Sequence, residues 1–243
     1  MKNDDKDIIK DFQQSLKKMG GNLHVLDTTI SVEKQMEYFN FTAYVRNNLS
    51  KKDTVDELIE ILNSEDSTCS ELKYVMASLA VSGDVKAYRA LENYNKNPRT
   101  DLIEWSSLAL LQAKITLESE FSEEKQIIIS TGLGGKGDKL RFYAFFKSAT
   151  LEPFSAYQKN LIEKEFSFHI NKHQGTLEEV QIKNNYFTLL FLMKLQESIQ
   201  TALQDALWEC NQYGNFISIQ FVITNVKIFN EAEIQEELKK LPS

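Results

Sequence analysis

The spacing of apolar residues changes near residues 119–124, and this change constrains the fold more than any other feature of the chain. Before it, apolar residues recur three and four positions apart, which is the period of an α-helix with one buried side. After it, several segments alternate apolar and polar residues, as strands with one covered face do. We therefore predict an α+β protein, with an all-helical domain at residues 1–122 and an α/β sandwich at residues 123–243.

The first half opens with two predicted helices. Residues 8–19 carry apolar side chains at helical spacing, and Gly20-Gly21 after them is a pair that ends helices well. A short apolar stretch at residues 23–26 leads to the second helix. Its apolar side is predicted to consist of Met36, Phe39, Tyr44 and Val45.

The segments between residues 53 and 120 repeat with a period of about thirty residues. A shift of that length brings apolar positions of one helix pair onto those of the next, namely Leu58 on Tyr88, Ile61 on Leu91 and Leu72 on Leu102. This stretch resembles a HEAT-like helical repeat, in which antiparallel helix pairs stack into a solenoid. The resemblance implies a concave surface for protein or peptide partners and brings no catalytic residues. An irregular helical bundle is the alternative.

The second half shows the predicted order β-β-α-β-β-α-β-α. Its six central elements resemble the ferredoxin-like split βαβ arrangement, with helices 153–174 and 198–214 on one face of an antiparallel sheet. Strand 186–195 is apolar on both sides, so we expect it to be covered on both faces. The second face of the sheet is expected to pack on the terminal helix, on the helical half or on another subunit. In the last case the protein would be a homo-oligomer.

The segment Gly132-Leu133-Gly134-Gly135-Lys136-Gly137 is a literal G-x-G-x-x-G and holds four of the nine glycines. Such a pattern binds a dinucleotide when a helix begins directly after its third glycine. Here the loop is predicted to join strands at 127–129 and 140–146, so the dinucleotide interpretation fails. A P-loop is excluded by Asp138, which stands where that motif requires lysine.

The same loop can bind an anion, because glycines let backbone N–H groups converge and nearby Lys and Arg residues add positive charge. The predicted binding residues are Gly132, Gly134, Gly135, Lys136, Gly137, Lys139 and Arg141. Among them, Lys136, Lys139 and Arg141 are the foremost contacts to an acidic partner or an anion. A solvated hairpin loop without a ligand is the alternative.

Residues 130–139 are also similar to the Gly-Gly-Gln loop of peptide-chain release factors. Gly134 and Gly135 match the paired glycines, and Lys136 stands where that family has the glutamine. The resemblance implies an RNA- or ribosome-associated factor.

Charge and composition exclude several classes of partner. Residues 1–123 contain 15 Lys and Arg against 21 Asp and Glu, whereas residues 124–243 contain 13 against 14. An acidic first half repels phosphate backbones, so nucleic acid is predicted to be an unlikely partner. No apolar run approaches the roughly 20 residues of a membrane span, so we expect no membrane partner. Cys69 and Cys210 are expected to be free thiols in a reducing compartment, the cytoplasm.

Catalytic and metal-binding patterns find little support. His169 and His173 are four residues apart on one predicted helix, and Glu165 precedes them by one turn. Three zinc ligands seldom come from one straight helix, so we predict a solvated polar face and no metal site. No G-x-S-x-G turn occurs, and three histidines leave few candidates for a general base. We predict no catalytic residue and no cofactor.

These patterns lead us to interpret the chain as a non-enzymatic, cytoplasmic protein–protein interaction or adaptor protein. Two alternatives stay open. One is a nucleotide- or phosphate-binding regulator or enzyme that uses residues 132–139, and the other is an RNA- or ribosome-associated factor.

Overall fold

The computed structural model describes residues 22–48, 53–122, 126–129 and 131–240. Their contacts form two compact units, and the second unit starts at Thr131. The α+β class is confirmed, because the first unit is mainly helical and the second contains an antiparallel sheet. The helix predicted at residues 8–19 lies outside the described residues.

The first unit consists of helices and one short strand pair. Its described elements are β1 (Asn22–Val25), α1 (Val32–Asn48), α2 (Val55–Asn63), α3 (Cys69–Val81), α4 (Val85–Tyr94), a 3₁₀ turn (Thr100–Leu102), α5 (Ile103–Phe121) and β2 (Gln126–Ile129). Helix α2 contacts α4, and α3 contacts α5. Two helix pairs therefore lie side by side, as the thirty-residue period indicates, and the HEAT-like resemblance stays a prediction.

The starts of α2 and α3 are set by reciprocal caps. The Thr54 hydroxyl accepts a hydrogen bond from the Glu57 N–H at 3.3 Å, and the Glu57 carboxylate accepts one from the Thr54 N–H at 2.9 Å. Thr68 and Glu71 repeat this arrangement at 3.2 and 2.8 Å. Both boxes satisfy N–H groups that a helix otherwise leaves without partners, so these two threonines fix where the helices begin.

Tyr38 anchors the core of the first unit. Its ring is fully buried and lies 5.1 Å from the Trp105 ring, and its hydroxyl donates to Gln112 Oε1 at 2.7 Å. The apolar side predicted for α1 is wrong at Met36 and Tyr44, which are 60% and 64% exposed, whereas Val45 is buried as predicted. The buried residues of α1 are Gln35, Tyr38, Thr42 and Val45. The polar groups of the first three have internal hydrogen-bond partners, and apolar spacing cannot identify such residues.

The strands β1 and β2 pair in parallel within the first unit, with Asn22 opposite Gln126 and Val25 opposite Ile129. The predicted hairpin between strands 127–129 and 140–146 is therefore wrong. The partner of β2 is a strand near the start of the described chain, and this pairing keeps β2 in the first unit.

The second unit has the ferredoxin-like order of elements. They are β3 (Gly135–Lys136), β4 (Lys139–Ser148), α6 (Ala156–Lys172), β5 (Thr176–Ile182), β6 (Tyr186–Lys194), α7 (Ile199–Asn211), β7 (Ile217–Thr224) and α8 (Glu231–Lys240). The antiparallel strands lie in the order β7-β4-β6-β5, and β3 pairs with the start of β4. Strands β4, β5, β6 and β7 with α6 and α7 thus form the split βαβ arrangement.

One face of this sheet, which we call the helix-covered face, is packed by aromatic rings. The Phe146 ring stacks on Phe187 and Phe221 with centroids 4.7 and 4.9 Å apart, and it meets Phe166 of α6 edge-on at 4.9 Å. All four rings are buried. Helix α6 therefore covers the centre of this face.

The opposite face, called the α8 face below, packs on the terminal helix. Tyr143, Phe145 and Tyr186 form a buried cluster with Ile234 of α8, and the Phe229 ring lies 5.2 Å from that of Tyr143. Of the three coverings expected for the second face, the terminal helix is the one found within this unit.

Candidate functional site

The Gly-rich loop is folded closely against its own unit. A Cβ on Gly132 would lie 1.8 Å from the Val226 carbonyl oxygen, so only glycine fits there. The Leu133 N–H donates to Asn225 O, and the Gly134 N–H donates to Thr131 O, both at 3.0 Å. These two N–H groups are used within the fold, and close packing by itself accounts for Gly132.

The exposed tip of the loop is a two-residue turn between β3 and β4. It consists of Gly137 and Asp138, and Gly137 has φ of +63°, a conformation that favours glycine. Lys136 and Lys139 flank the turn as directly paired residues. A hairpin with basic residues at its tip therefore exists, but β3 and β4 form it and the predicted strand 127–129 has no part in it.

Three lysines lie in register on one face at this end of the sheet. Lys136 pairs with Lys139 across β3 and β4, and Lys139 pairs with Lys194 across β4 and β6. Residues that pair directly across strands point to the same face, so we call these three the lysine row. Asp138 lies 3.1 Å from Lys194, and Lys139 donates to Thr176 Oγ1 at 3.1 Å.

Arg141, the third predicted cation, is held by neighbouring groups. Its guanidinium contacts both Glu178 carboxylate oxygens at 2.5 and 3.0 Å and donates to Leu133 O at 2.9 Å. This bidentate geometry joins β4 to β5 and braces the Gly-rich loop. Its charge is thus already neutralised, and Lys136 and Lys139 remain the stronger candidates for contact with an anion.

A cavity of about 230 Å³ opens on the α8 face. Lys139 and Tyr143 point to this same face of β4 and lie about 14 Å apart, at roughly 3.4 Å per residue. The cavity is lined by the sheet and by residues 228–234, which lead into α8 and are called the α8 segment. The lining residues are Tyr143, Glu179, Gln181, Lys183, Tyr186, Thr188, Leu190, Ile228, Phe229, Glu231 and Ile234. The lysine row and this cavity therefore share one face of the sheet.

The cavity has a buried floor and an exposed rim. Tyr143, Tyr186 and Thr188 are buried, whereas Glu179 and Glu231 are exposed. Burial raises the pKa of Tyr143 to about 12 and also raises that of Tyr186, so both hydroxyls stay protonated at neutral pH. The floor thus offers neutral rings and hydroxyls, and the rim offers carboxylates.

The sequence interpretation missed this cavity. Tyr143 lies in the predicted strand 140–146, and Tyr186 lies in a strand expected to be covered on both faces. Side chains alternate between the two faces of a strand, so the sequence alone could have placed Tyr143 on the same face of β4 as Lys139. The position of Phe229 and Ile234 over that face depends on the path of the chain after β7.

The histidines of α6 meet carboxylates from neighbouring segments. His173 Nδ1 lies 3.3 Å from Glu197, and its Nε2 lies 3.9 Å from Asp205. His169 is buried, with Nε2 3.9 Å from Glu165. The solvated face predicted for these residues is wrong for His169. In the described ranges, no three His, Cys, Asp or Glu side chains are grouped as a metal site requires.

Comparisons with solved structures include similar folds of low identity, among them two that are described as transposases. No protein-family model matches the chain. No curated protein matches it in sequence. One similar structure is described as a candidate transposase from Deinococcus radiodurans R1, at 13% identity and TM-score 0.37, with 43% of this chain and 92% of that chain covered. Another is described as a REP-associated tyrosine transposase bound to a REP hairpin, at 5% identity and TM-score 0.32, with 40% and 61% covered.

These comparisons correct the interpretation of the chain as a protein–protein adaptor. Both similar structures are described as transposases, and one contains a bound hairpin. The adaptor function, the protein-binding partner and the expectation that nucleic acid is an unlikely partner are withdrawn. With TM-scores below 0.5, the likenesses carry no argument about what this chain binds. Any function must therefore be supported by the chain's own residues.

Proposed function

We propose that the second unit binds single-stranded nucleic acid on the α8 face of its sheet, with the lysine row contacting phosphates. The lysine row is the observation that carries this proposal: Lys136, Lys139 and Lys194 lie side by side on three neighbouring strands. This function replaces the acidic protein partner considered for Lys136 and Lys139.

Like charges placed directly opposite each other across strands destabilise a sheet. Folding alone therefore gives no reason for three adjacent lysines, and Asp138 contacts only one end of the row. A bound polyanion offsets this repulsion, because successive phosphates can meet several lysines and release their counterions. The row is thus better matched to a nucleic-acid strand than to a single small anion.

A single strand fits this face better than a duplex does. Unpaired bases can turn away from their backbone and stack on aromatic rings, and the cavity with Tyr143 and Tyr186 lies on the face of the lysine row. The net charge of −7 opposes long-range attraction of a polyanion. We therefore expect a short binding site and affinity that is measurable mainly at low salt.

The test compares two double variants that remove the same charge from different faces. Lys136→Ala with Lys139→Ala removes two members of the row. Lys164→Ala with Lys172→Ala removes two exposed lysines from α6, which packs on the helix-covered face. Fluorescence anisotropy with labelled 15-nucleotide DNA and RNA strands, alone and annealed to a complement, measures the affinity.

The first variant should bind single strands on the order of tenfold more weakly near 50 mM salt. It should also reduce the slope of log K against log salt by about 1.4, since each phosphate contact with a single strand contributes about 0.7. The α6 variant should stay close to the wild type. Equal losses in the two variants, or tighter binding of the duplex, would contradict the proposal.

Cytoplasmic location stays part of this proposal. Cys69 and Cys210 are both free thiols, as a reducing compartment would keep them. Within the described ranges, no helix is both long and apolar enough to cross a membrane. Fluorescence microscopy of the tagged chain in its native cell checks the location.

A further inference from the structure

We propose that the cavity on the α8 face is a pocket for one unpaired nucleobase and that it favours bases with an exocyclic amino group. This inference rests on the proposed binding of single strands and specifies what the face recognises. It assigns the bases adenine, cytosine and guanine as ligands and disfavours thymine and uracil.

The first support is the shape and lining of the cavity. Its volume of about 230 Å³ suits one ring system better than a larger ligand, since pockets for drug-sized molecules start at about 300 Å³. Tyr143 and Tyr186 form its floor, and Phe229 and Ile234 form a wall from the α8 segment. A flat base can pack against such rings regardless of its sequence context.

The second support is the set of hydrogen-bonding groups at the rim. The carboxylates of Glu179 and Glu231 only accept hydrogen bonds when ionised. The Gln181 amide NH₂ donates to Glu179 at 2.6 Å. The carbonyl oxygen of the same amide adds a further acceptor. Lys183 is the one cation in the cavity lining. Acceptors therefore dominate the rim.

An acceptor-rich rim favours a ligand that donates. The exocyclic amino groups of adenine, cytosine and guanine are donors, whereas thymine and uracil present a carbonyl oxygen at the corresponding position. The two carboxylates also repel phosphate, which leaves the backbone to the lysine row. The face thus has one position for a base and another for phosphates, about 14 Å apart along β4.

The experiment replaces the two rim carboxylates by neutral amides of nearly the same size. Glu179→Gln with Glu231→Gln is compared with Glu152→Gln and Glu163→Gln, a control pair that is also exposed and does not line the cavity. Anisotropy with labelled 15-nucleotide oligo-dC, oligo-dA and oligo-dT measures each affinity. The wild type should bind oligo-dC and oligo-dA about tenfold more tightly than oligo-dT, the discrimination expected from one contact to a base edge.

The cavity variant should lose most of that preference, and the control pair should keep it. Both variants lose two negative charges, so their affinities for oligo-dT should rise to a similar extent. Equal wild-type affinity for the three strands would overturn the base pocket and leave the proposed function standing. A preference that survives in the cavity variant would also overturn it.

A second measurement separates failure of the pocket from failure of strand binding. If no oligonucleotide binds, the proposed function fails. Titration with cytidine, adenosine and uridine then tests the base pocket independently of strand binding. Shifts of the Tyr143 and Tyr186 ring resonances with cytidine and adenosine, absent with uridine and in the cavity variant, would support it. Equal responses to all three nucleosides, or none, would overturn it.

Discussion

The two faces of the sheet in the second unit are built from different kinds of contact. On the helix-covered face, Phe146 meets three other rings within 4.9 Å, and α6 lies over them. On the α8 face, Tyr143 and Tyr186 border a cavity, and lysines continue the same face beyond it. The helix-covered face is filled by packed rings. The α8 face has a cavity, hydroxyl groups and charged side chains.

This difference assigns separate tasks to the residues of one strand. Alternate positions of β4 point to opposite faces, so Phe146 can stabilise the unit while Lys139 and Tyr143 serve the proposed ligand. Changes on the helix-covered face should therefore reduce stability, and changes on the α8 face should mainly reduce binding. The predictions below test this division, from the largest effect to the smallest.

Phe146→Ala should lower the free energy of unfolding by about 4 kcal/mol, because it removes a fully buried ring and leaves a cavity among three others. Leu190→Ala, on the α8 face beside the existing cavity, should cost less than about 2 kcal/mol, since Leu190 is only partly buried. Urea unfolding of the isolated chain measures both. Equal losses of unfolding free energy in the two variants would contradict the claim that the helix-covered face contributes more to stability.

Gly132→Ala should cost about 3 kcal/mol, because the new Cβ would meet the Val226 carbonyl oxygen and backbone must shift. Gly137→Ala is the matched control in the same loop. It has open space around the added Cβ but a positive φ, so we expect a loss of about 1 kcal/mol. Thermal unfolding of the two variants checks the order, and a larger loss at Gly137 would contradict the close packing of Gly132.

Tyr143→Phe should change the dependence of stability on alkaline pH. The folded-state pKa of Tyr143 is raised by burial to about 12 from 10.0, so the folded state prefers the protonated hydroxyl. The resulting stabilisation is complete below about pH 10 and is lost as the pH rises through about 12. The wild type should therefore lose stability faster than the variant between those values in urea titrations. Parallel curves would show that Tyr143 ionises freely.

Periodicity predicted the α+β class and the ferredoxin-like order, because these depend on local spacing of apolar residues. It failed for α1, where the buried side carries Gln35 and Thr42 with internal hydrogen bonds. It also failed for the partner of β2, because a four-residue apolar strand carries no information about which distant strand it meets.

The candidate site was predicted in part. The sequence pointed to Lys136 and Lys139 by their position beside glycines, and the structure places them opposite each other. Lys194 could not be found in this way, since only the register of β4 and β6 brings it into the row. The cavity depends on how the segment with Phe229 returns over the sheet, which is a tertiary property.

The pairing of β1 with β2 has a mechanical consequence. These strands lie at the two ends of the first unit's described chain, and His24 contacts Gln126 although 102 positions separate them. Because the strands are parallel and in register, pulling the ends of this unit apart loads the hydrogen bonds of the ladder together, in shear. The helices between them can unravel under such a pull only after this short ladder has given way.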